Sequence, residues 1–195
     1  LLPSFADAIN ASYTYKNKIL TLSYNHLSNP INNQPSLNGN LNKLVNTFTN
    51  GKSFESFSAS FSLPFKISKW WNTQNNLFGN WRKSNSFYKE NIQQRFLNFY
   101  ITSTQTFTLP KNISLELSGW YTSKGGWGLY TYKPIGSVDF GAQKKFEKKK
   151  SSLSFNIRDL FNTLHSKQYI NRPEQNLIVR NNQIFGYTNF SITFS

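Results

Sequence analysis

The chain has 195 residues, a formal net charge of +14 from 22 Lys and Arg against 8 Asp and Glu, 17% aromatic residues, and neither cysteine nor methionine. Its 18 Phe, 10 Tyr and 5 Trp exclude a disordered polyelectrolyte, which lacks the apolar side chains needed to offset the entropy of ordering; the missing cysteines exclude disulfides, thiol nucleophiles and thiolate metal sites. The mean hydropathy of −0.54 and the lack of any apolar run near the ~18 residues of a spanning helix exclude such a helix, but not a spanning strand, which needs an apolar residue only at every second position.

Taken in chain order, the apolar residues recur with period two, the signature of half-buried strands. Strands are expected near 4–15, 18–27, 41–63, 70–83, 95–109, 113–122, 135–146, 151–161 and 180–195, the third with a possible break at Asn50-Gly51. Leu20, Leu22 and Tyr24 share one parity. Phe57, Ala59, Phe61 and Leu63 alternate with Ser56, Ser58, Ser60 and Ser62. Leu97, Phe99, Ile101, Phe107 and Leu109 share a parity, and Ile113, Leu115, Leu117, Gly119 and Tyr121 alternate with polar residues and Trp120. Val138, Phe140 and Ala142, then Leu153, Phe155 and Ile157, then Phe190, Ile192 and Phe194 continue the pattern. No comparable window carries a 3.6-residue stripe, so little helix is expected.

The links alternate between short and long. Short ones fall at Lys16 to Lys18, Pro64 to Lys69, Pro110 to Asn112 and Glu147 to Lys150; long ones fall at Ser28 to Asn40, Ser84 to Gln94, Ser123 to Pro134 and Asn162 to Val179. In an up-and-down meander every second link lies at the same end, so one end carries tight turns and the other large loops, the arrangement of outer-membrane barrels. The expected fold is therefore all-β, an antiparallel up-and-down transmembrane β-barrel, with about nine strands belonging to a larger barrel. The start at Leu1-Leu2-Pro3, without initiator methionine or signal peptide, leads us to expect residues 1–195 to be a single barrel segment from the C-terminal part of a longer chain, with no plug domain.

Ten of the 17 lysines lie in or beside the short links: Lys16, Lys18, Lys66, Lys69, Lys111, Lys144, Lys145, Lys148, Lys149 and Lys150, with one acid, Glu147. A basic rim of this kind suits anionic headgroups, or simply a solvated turn that discourages aggregation. Tyr13 and Tyr15 precede one short turn and Trp70-Trp71 follow another, where amphipathic rings form an interfacial girdle. Trp120, Trp127, Tyr130 and Tyr132 cluster at the long-loop side around Gly125, Gly126 and Gly128, a candidate ring surface for a ligand at the barrel mouth. Lysines in turns and aromatics in strands do not interleave on one face, so no nucleic-acid partner is expected. His26 and His165, without cysteine, make no convincing zinc site. Asp159 and His165 form a triad only by choosing among abundant serines, so neither enzymatic activity nor a cofactor is expected.

Several runs carry a family likeness. Leu2-Pro3-Ser4, Ala11 through Lys18, Leu22-Ser23-Tyr24 and Asn29-Pro30-Ile31 resemble the late barrel of Bacteroidetes-type TonB-dependent outer-membrane receptors, within the outer membrane protein beta-barrel family. So do Leu63-Pro64-Phe65-Lys66, Trp70-Trp71, and Leu153 to Arg158 followed by Asp159-Leu160-Phe161-Asn162-Thr163. The resemblance implies a barrel of about 22 strands in a Gram-negative outer membrane, completed by the remaining strands and plug of the same receptor or by a partner chain. It also implies energy supplied by TonB through an N-terminal part and import of a bulky nutrient, a metal chelate or an oligosaccharide. That family usually ends on an aromatic residue, whereas Phe194 is followed here by Ser195. The alternatives are a small self-contained outer-membrane barrel or surface adhesion protein, and a soluble β-sheet module binding glycans or nucleic acid.

Overall fold

The structure is a computed structural model, and it describes residues 1–38, 43–85, 93–127, 130–146, 151–172, 177–184 and 190–194. The main sheet has nine strands, all paired antiparallel. In spatial order they are β1 (Phe5–Tyr15), β2 (Lys18–Ser28), β5 (Ser53–Lys66), β6 (Trp71–Asn85), β7 (Gln93–Leu109), β8 (Ile113–Thr122), β11 (Ile135–Phe146), β12 (Ser151–Ile157) and β15 (Phe190–Phe194). Each neighbour in space is the next core strand in the chain, which is an up-and-down meander. β1 and β15 are its two edges, so the barrel wall is not closed. Among the described residues there is no helix.

Among the described residues the short turns form at or near Lys16 to Lys18, Pro64 to Lys69 and Pro110 to Asn112, as the sequence placed them, and the backbone of two of them explains how; the link Glu147 to Lys150 lies outside the described residues. Tyr15 pairs with Lys18 across a two-residue turn in which Lys16 takes φ 54°. Leu109 pairs with Ile113 across Pro110-Lys111-Asn112, with Lys111 at φ 62° and Asn112 at φ 58°. Two-residue hairpin links match the strand twist when a residue adopts this left-handed conformation.

Three expectations are corrected. The strand expected at 41–63 divides at its possible break, Asn50-Gly51, into β4 (Lys43–Asn50) and β5, and β5 runs past the expected end through Pro64 to Lys66. The break is fixed by Asn50, whose side-chain amide donates to the Leu2 and Asn29 carbonyls at 2.9 and 2.8 Å. It is also fixed by Gly51, packed against Pro30 and Asn32 too closely to admit a side chain without movement. The predicted strand 151–161 ends at Ile157, because Asp159 turns the backbone at φ 50°. The predicted strand 180–195 is likewise two, β14 (Leu177–Ile184) and β15.

Three of the long links carry hairpins of their own, and most of the fourth, Ser84 to Gln94, lies outside the described residues. β3 (Ile31–Asn38) pairs with β4 as a separate ribbon. β9 (Gly125–Trp127), β10 (Tyr130–Tyr132), β13 (His165–Arg172) and β14 form a four-stranded sheet in the order β14-β13-β10-β9. The short-turn end is thus bare and the opposite end is built up.

Register sorts the side chains, because directly opposed residues of an antiparallel pair share a face. One row reads Tyr13, Leu20, Phe61, Leu77, Ile101, Tyr121 across six strands, and another reads Ile9, Tyr24, Phe57, Trp81, Leu97. On the other face one row reads Asn10, Ser23, Ser58, Asn80, Asn98. The usual order of burial is reversed. Ile9, Phe61 and Leu97 are 71%, 42% and 56% exposed, while Ser56, Asn98 and Ser137 are 7%, 7% and 4% exposed. The polar face ties its strands together by side-chain bonds, including Gln74 to Ser62 at 3.1 Å, Asn76 to Thr102 at 3.1 Å and Gln143 to Ser154 at 3.2 Å.

Candidate functional site

At the built-up end, the β9-β10 hairpin lies against the polar face of β7. Its register sets Tyr132 opposite Gly125, Thr131 opposite Gly126 and Tyr130 opposite Trp127. The glycines permit this approach: a Cβ on Gly126 would run into the Phe96 ring and one on Gly125 into the Tyr132 ring. The Arg82 guanidinium donates to the Asn98 side-chain oxygen at 3.1 Å and reaches the Tyr132 hydroxyl at 3.5 Å. Trp120, on the same face, tilts toward Tyr100 with ring centroids 6.2 Å apart, and Tyr100 stands two residues along β7 from Asn98. Of the four aromatic residues singled out by sequence, Trp120 and Tyr132 therefore occupy adjoining groups on one face, joined through β7. The backbones of Trp127 and Tyr130 lie in the hairpin, and their side chains lie outside the described residues. Arg82, Asn98, Phe96 and Tyr100 were not anticipated. Their even numbering within β6 and β7 was the available signal, because it opposes the parity of the apolar positions.

Next to this end is a closed corner. Asp159, 1% exposed, accepts from the Thr163 backbone N–H at 2.8 Å, the Thr163 hydroxyl at 3.1 Å and the Leu164 backbone N–H at 3.1 Å. Its own N–H donates to Asp139 at 2.8 Å, and the Thr163 hydroxyl also reaches the Gly136 carbonyl at 2.7 Å. Burial pushes the Asp159 carboxyl up, but these hydrogen bonds and the neighbouring His165 outweigh it and hold the pKa below the ordinary value. The carboxylate closes the Asp159-Leu160-Phe161-Asn162-Thr163 turn by taking the Thr163 and Leu164 main-chain donors, while the Asp159 and Leu160 N–H groups and the Thr163 hydroxyl tie the turn to Asp139, Val138 and Gly136 of β11.

At the short-turn end, lysines reach back over the rings of the apolar face. Lys16 lies 5.5 Å from the Tyr15 ring, Lys18 4.7 Å from Phe65 and Lys144 5.9 Å from Phe146; Lys144 also donates to the Lys111 carbonyl at 2.7 Å. Lys66 ends β5, Lys69 sits exposed in the turn before β6, and the Lys145 N–H donates to the Asn112 carbonyl. Lys148, Lys149 and Lys150 lie outside the described residues. Tyr13 and Tyr15 are 65% and 56% exposed on the edge strand. Trp70 and Trp71 gather with Phe107, all three centroids within 5.6–6.2 Å of one another.

One block breaks the apolar face. Thr73 and Gln105 are paired in register, as are Asn75 and Ser103, and these four share the parity of Leu77, Ile101 and Phe107. Gln105 donates to Thr73 and Ser103, both at 2.8 Å, and accepts from the Trp71 indole at 2.9 Å. Asn75 donates to Thr73 and accepts from Ser103, both at 2.8 Å.

With this geometry in place, the comparison with known proteins is specific about family. The model of the outer membrane protein beta-barrel family matches residues 1–195, and the chain belongs to that family. No curated protein and no solved structure matched it.

Proposed function

We propose, from membership of this family and from the inverted burial of the sheet, that the chain forms part of the wall of a TonB-dependent transporter in a Gram-negative outer membrane, of the kind found in Bacteroidetes. In this reading the apolar face meets lipid and the polar face lines an aqueous lumen. The remaining strands, a plug and the TonB contact come from elsewhere in the same receptor or from a partner chain.

The observation that carries the reading is the polar face at the built-up end, where the Arg82 and Asn98 hydrogen-bonding groups adjoin the rings of Trp120, Tyr100 and Tyr132. Ring faces for stacking beside a few fixed polar groups suit a bulky polar cargo such as an oligosaccharide or a metal chelate. Uptake of candidate cargoes by cells carrying the intact receptor gene, with and without a protonophore, tests this. Energy-dependent uptake that falls when Trp120 and Tyr132 are changed to Ala supports the reading. Uptake indifferent to both the protonophore and the substitutions would replace it with a passive pore or an adhesion barrel.

A further inference from the structure

We propose that the apolar face carries, at its short-turn end, a docking site for one anionic phospholipid of the adjoining leaflet. The site comprises Lys18 and Lys69, the Trp70-Trp71-Phe107 ring cluster, and the Thr73-Asn75-Ser103-Gln105 block. The inference rests on the apolar face being the lipid-facing one.

A polar quartet on such a face needs a reason, because an amide left without a partner in hydrocarbon is costly. Here the two amides are almost wholly occupied. Both hydrogens of the Gln105 amide are donated and its oxygen accepts from the Trp71 indole. Asn75 uses its oxygen and one of its two hydrogens. What remains is one amide hydrogen on Asn75 and the hydroxyl hydrogen of Thr73, whose oxygen accepts from both amides, donors matched to an acceptor that approaches from the lipid.

Depth identifies that acceptor. Asn75 lies four residues beyond Trp71 along β6, about 10 Å from the rim at ~3.3 Å per residue and ~40° tilt. That is below the ring belt, among the first acyl methylenes when the phosphate of a phospholipid is level with the turn, because the interfacial layer is about 5–7 Å thick; the Asn75 amide nitrogen reaches back toward Thr73, nearer the rim, which brings it to the ester carbonyls at the base of that layer. The order from rim to depth, cation, indole rings, amide donor and then Leu77 and Ile101, repeats the order of phosphate, glycerol, ester and acyl chain.

Charge selects the headgroup. Lys18 reaches over Phe65 at 4.7 Å, and Phe65 is the register partner of Thr73, so this ammonium borders the block. Lys69 is exposed in the turn that leads into Trp70 and Trp71. Among the described residues of the short turns none is acidic. Such a rim favours a net negative headgroup over a zwitterionic one.

The test uses the intact receptor, extracted in mild detergent and exchanged into nanodiscs of phosphatidylcholine with phosphatidylglycerol; retained lipid is counted by native mass spectrometry. Wild type is expected to keep phosphatidylglycerol in preference. Lys18→Gln and Lys69→Gln should each weaken that preference about fivefold, the equivalent of about 1 kcal/mol per lysine, without changing phosphatidylcholine retention. Asn75→Leu with Gln105→Leu should shorten retention of both lipids, and gel mobility before and after heating checks that this variant folds. Lipid retention untouched in the folded double variant overturns the site and makes the block a brace between β6 and β7. A two-receptor species lost in the same variant overturns it in favour of contact between copies. Release of wild-type receptor from membranes by carbonate and urea would instead defeat the lipid-facing reading itself.

Discussion

Replacing Phe61 by Arg, and separately its neighbour Ser60 by Arg, tests the assignment of faces at one point in the sheet. Phe61 is flanked in register by Leu20 and Leu77, while Ser60 is flanked by Thr21 and Phe78 on the opposite face. Phe61 lies five residues from the end of β5 at Lys66. At ~3.3 Å per residue and ~40° tilt it stands about 13 Å above the rim, which places it well inside an apolar band about 25 Å tall once the interfacial layer of about 5–7 Å is crossed. Arg costs about 2–4 kcal/mol at the midplane of such a band and about 0–1 kcal/mol at its edges, so about 2–3 kcal/mol is expected at this depth, whereas substitutions on the lumen side bear on selectivity more than on stability. A cost of 2.8 kcal/mol corresponds to about a hundredfold in the folding constant, well within reach of denaturant titration of the receptor in lipid vesicles. The expected order is Phe61→Arg far below wild type and Ser60→Arg within about 1 kcal/mol of it. The opposite order, with the Ser60 change ruinous and the Phe61 change tolerated, would mean that the serines face a dry interior, and the membrane reading would fall.

Three further outcomes follow from local geometry. The Asp159 carboxyl has its folded pKa below the unfolded value of about 3.9, so its stabilisation is complete above about pH 4 and is lost as pH falls through the folded value. Hydrogen exchange at the Thr163 and Leu164 amides should lose protection in acid, and Asp159→Asn should lower protection at neutral pH and remove the acid step; an unchanged step would assign it to another group. Gly126→Ala should push the β9-β10 hairpin off Phe96 at an overpacking cost of about 1–3 kcal/mol, read as faster proteolysis within 123–134, with Phe96→Ala restoring resistance; equal proteolysis rates in Gly126→Ala and wild type would refute the contact. Lys111→Gly relieves a left-handed residue that costs an L side chain about 1–2 kcal/mol, partly offset by glycine's greater unfolded entropy. The denaturant midpoint should therefore rise, and a fall would show that the Lys111 side chain supplies more than the strain removes.

Period-two alternation was readable in the sequence because the apolar face has no alternative partner to obscure it, and Phe57 to Leu63 against Ser56 to Ser62 gives the register directly. The tight turns were readable for a similar reason, since Lys16-Asn17 and Pro110-Lys111-Asn112 interrupt that alternation abruptly. The hairpins within the long links were not. β9 and β10 have three residues each, too few to show a period, and what holds them is the fit of Gly125 and Gly126 against rings distant in sequence. In the sequence Asp159 offered only a triad with His165 drawn by choosing among abundant serines. Its role as a backbone clamp depends on main-chain N–H groups, which every residue but proline has and no sequence pattern displays. The quartet at Thr73, Asn75, Ser103 and Gln105 was visible as four polar residues of apolar parity, but only pairing β6 with β7 brings them together.

The meander has a consequence for how the sheet comes into being. Since each core strand lies beside the next one along the chain, separated at the bare end by as few as two residues, pairing can advance like a zipper, and the loop-closure entropy for each step across a tight turn stays small. A nascent wall built this way exposes a growing margin on one side and its first strand on the other, and the main-chain donors and acceptors of the strands between are satisfied before the following hairpin arrives.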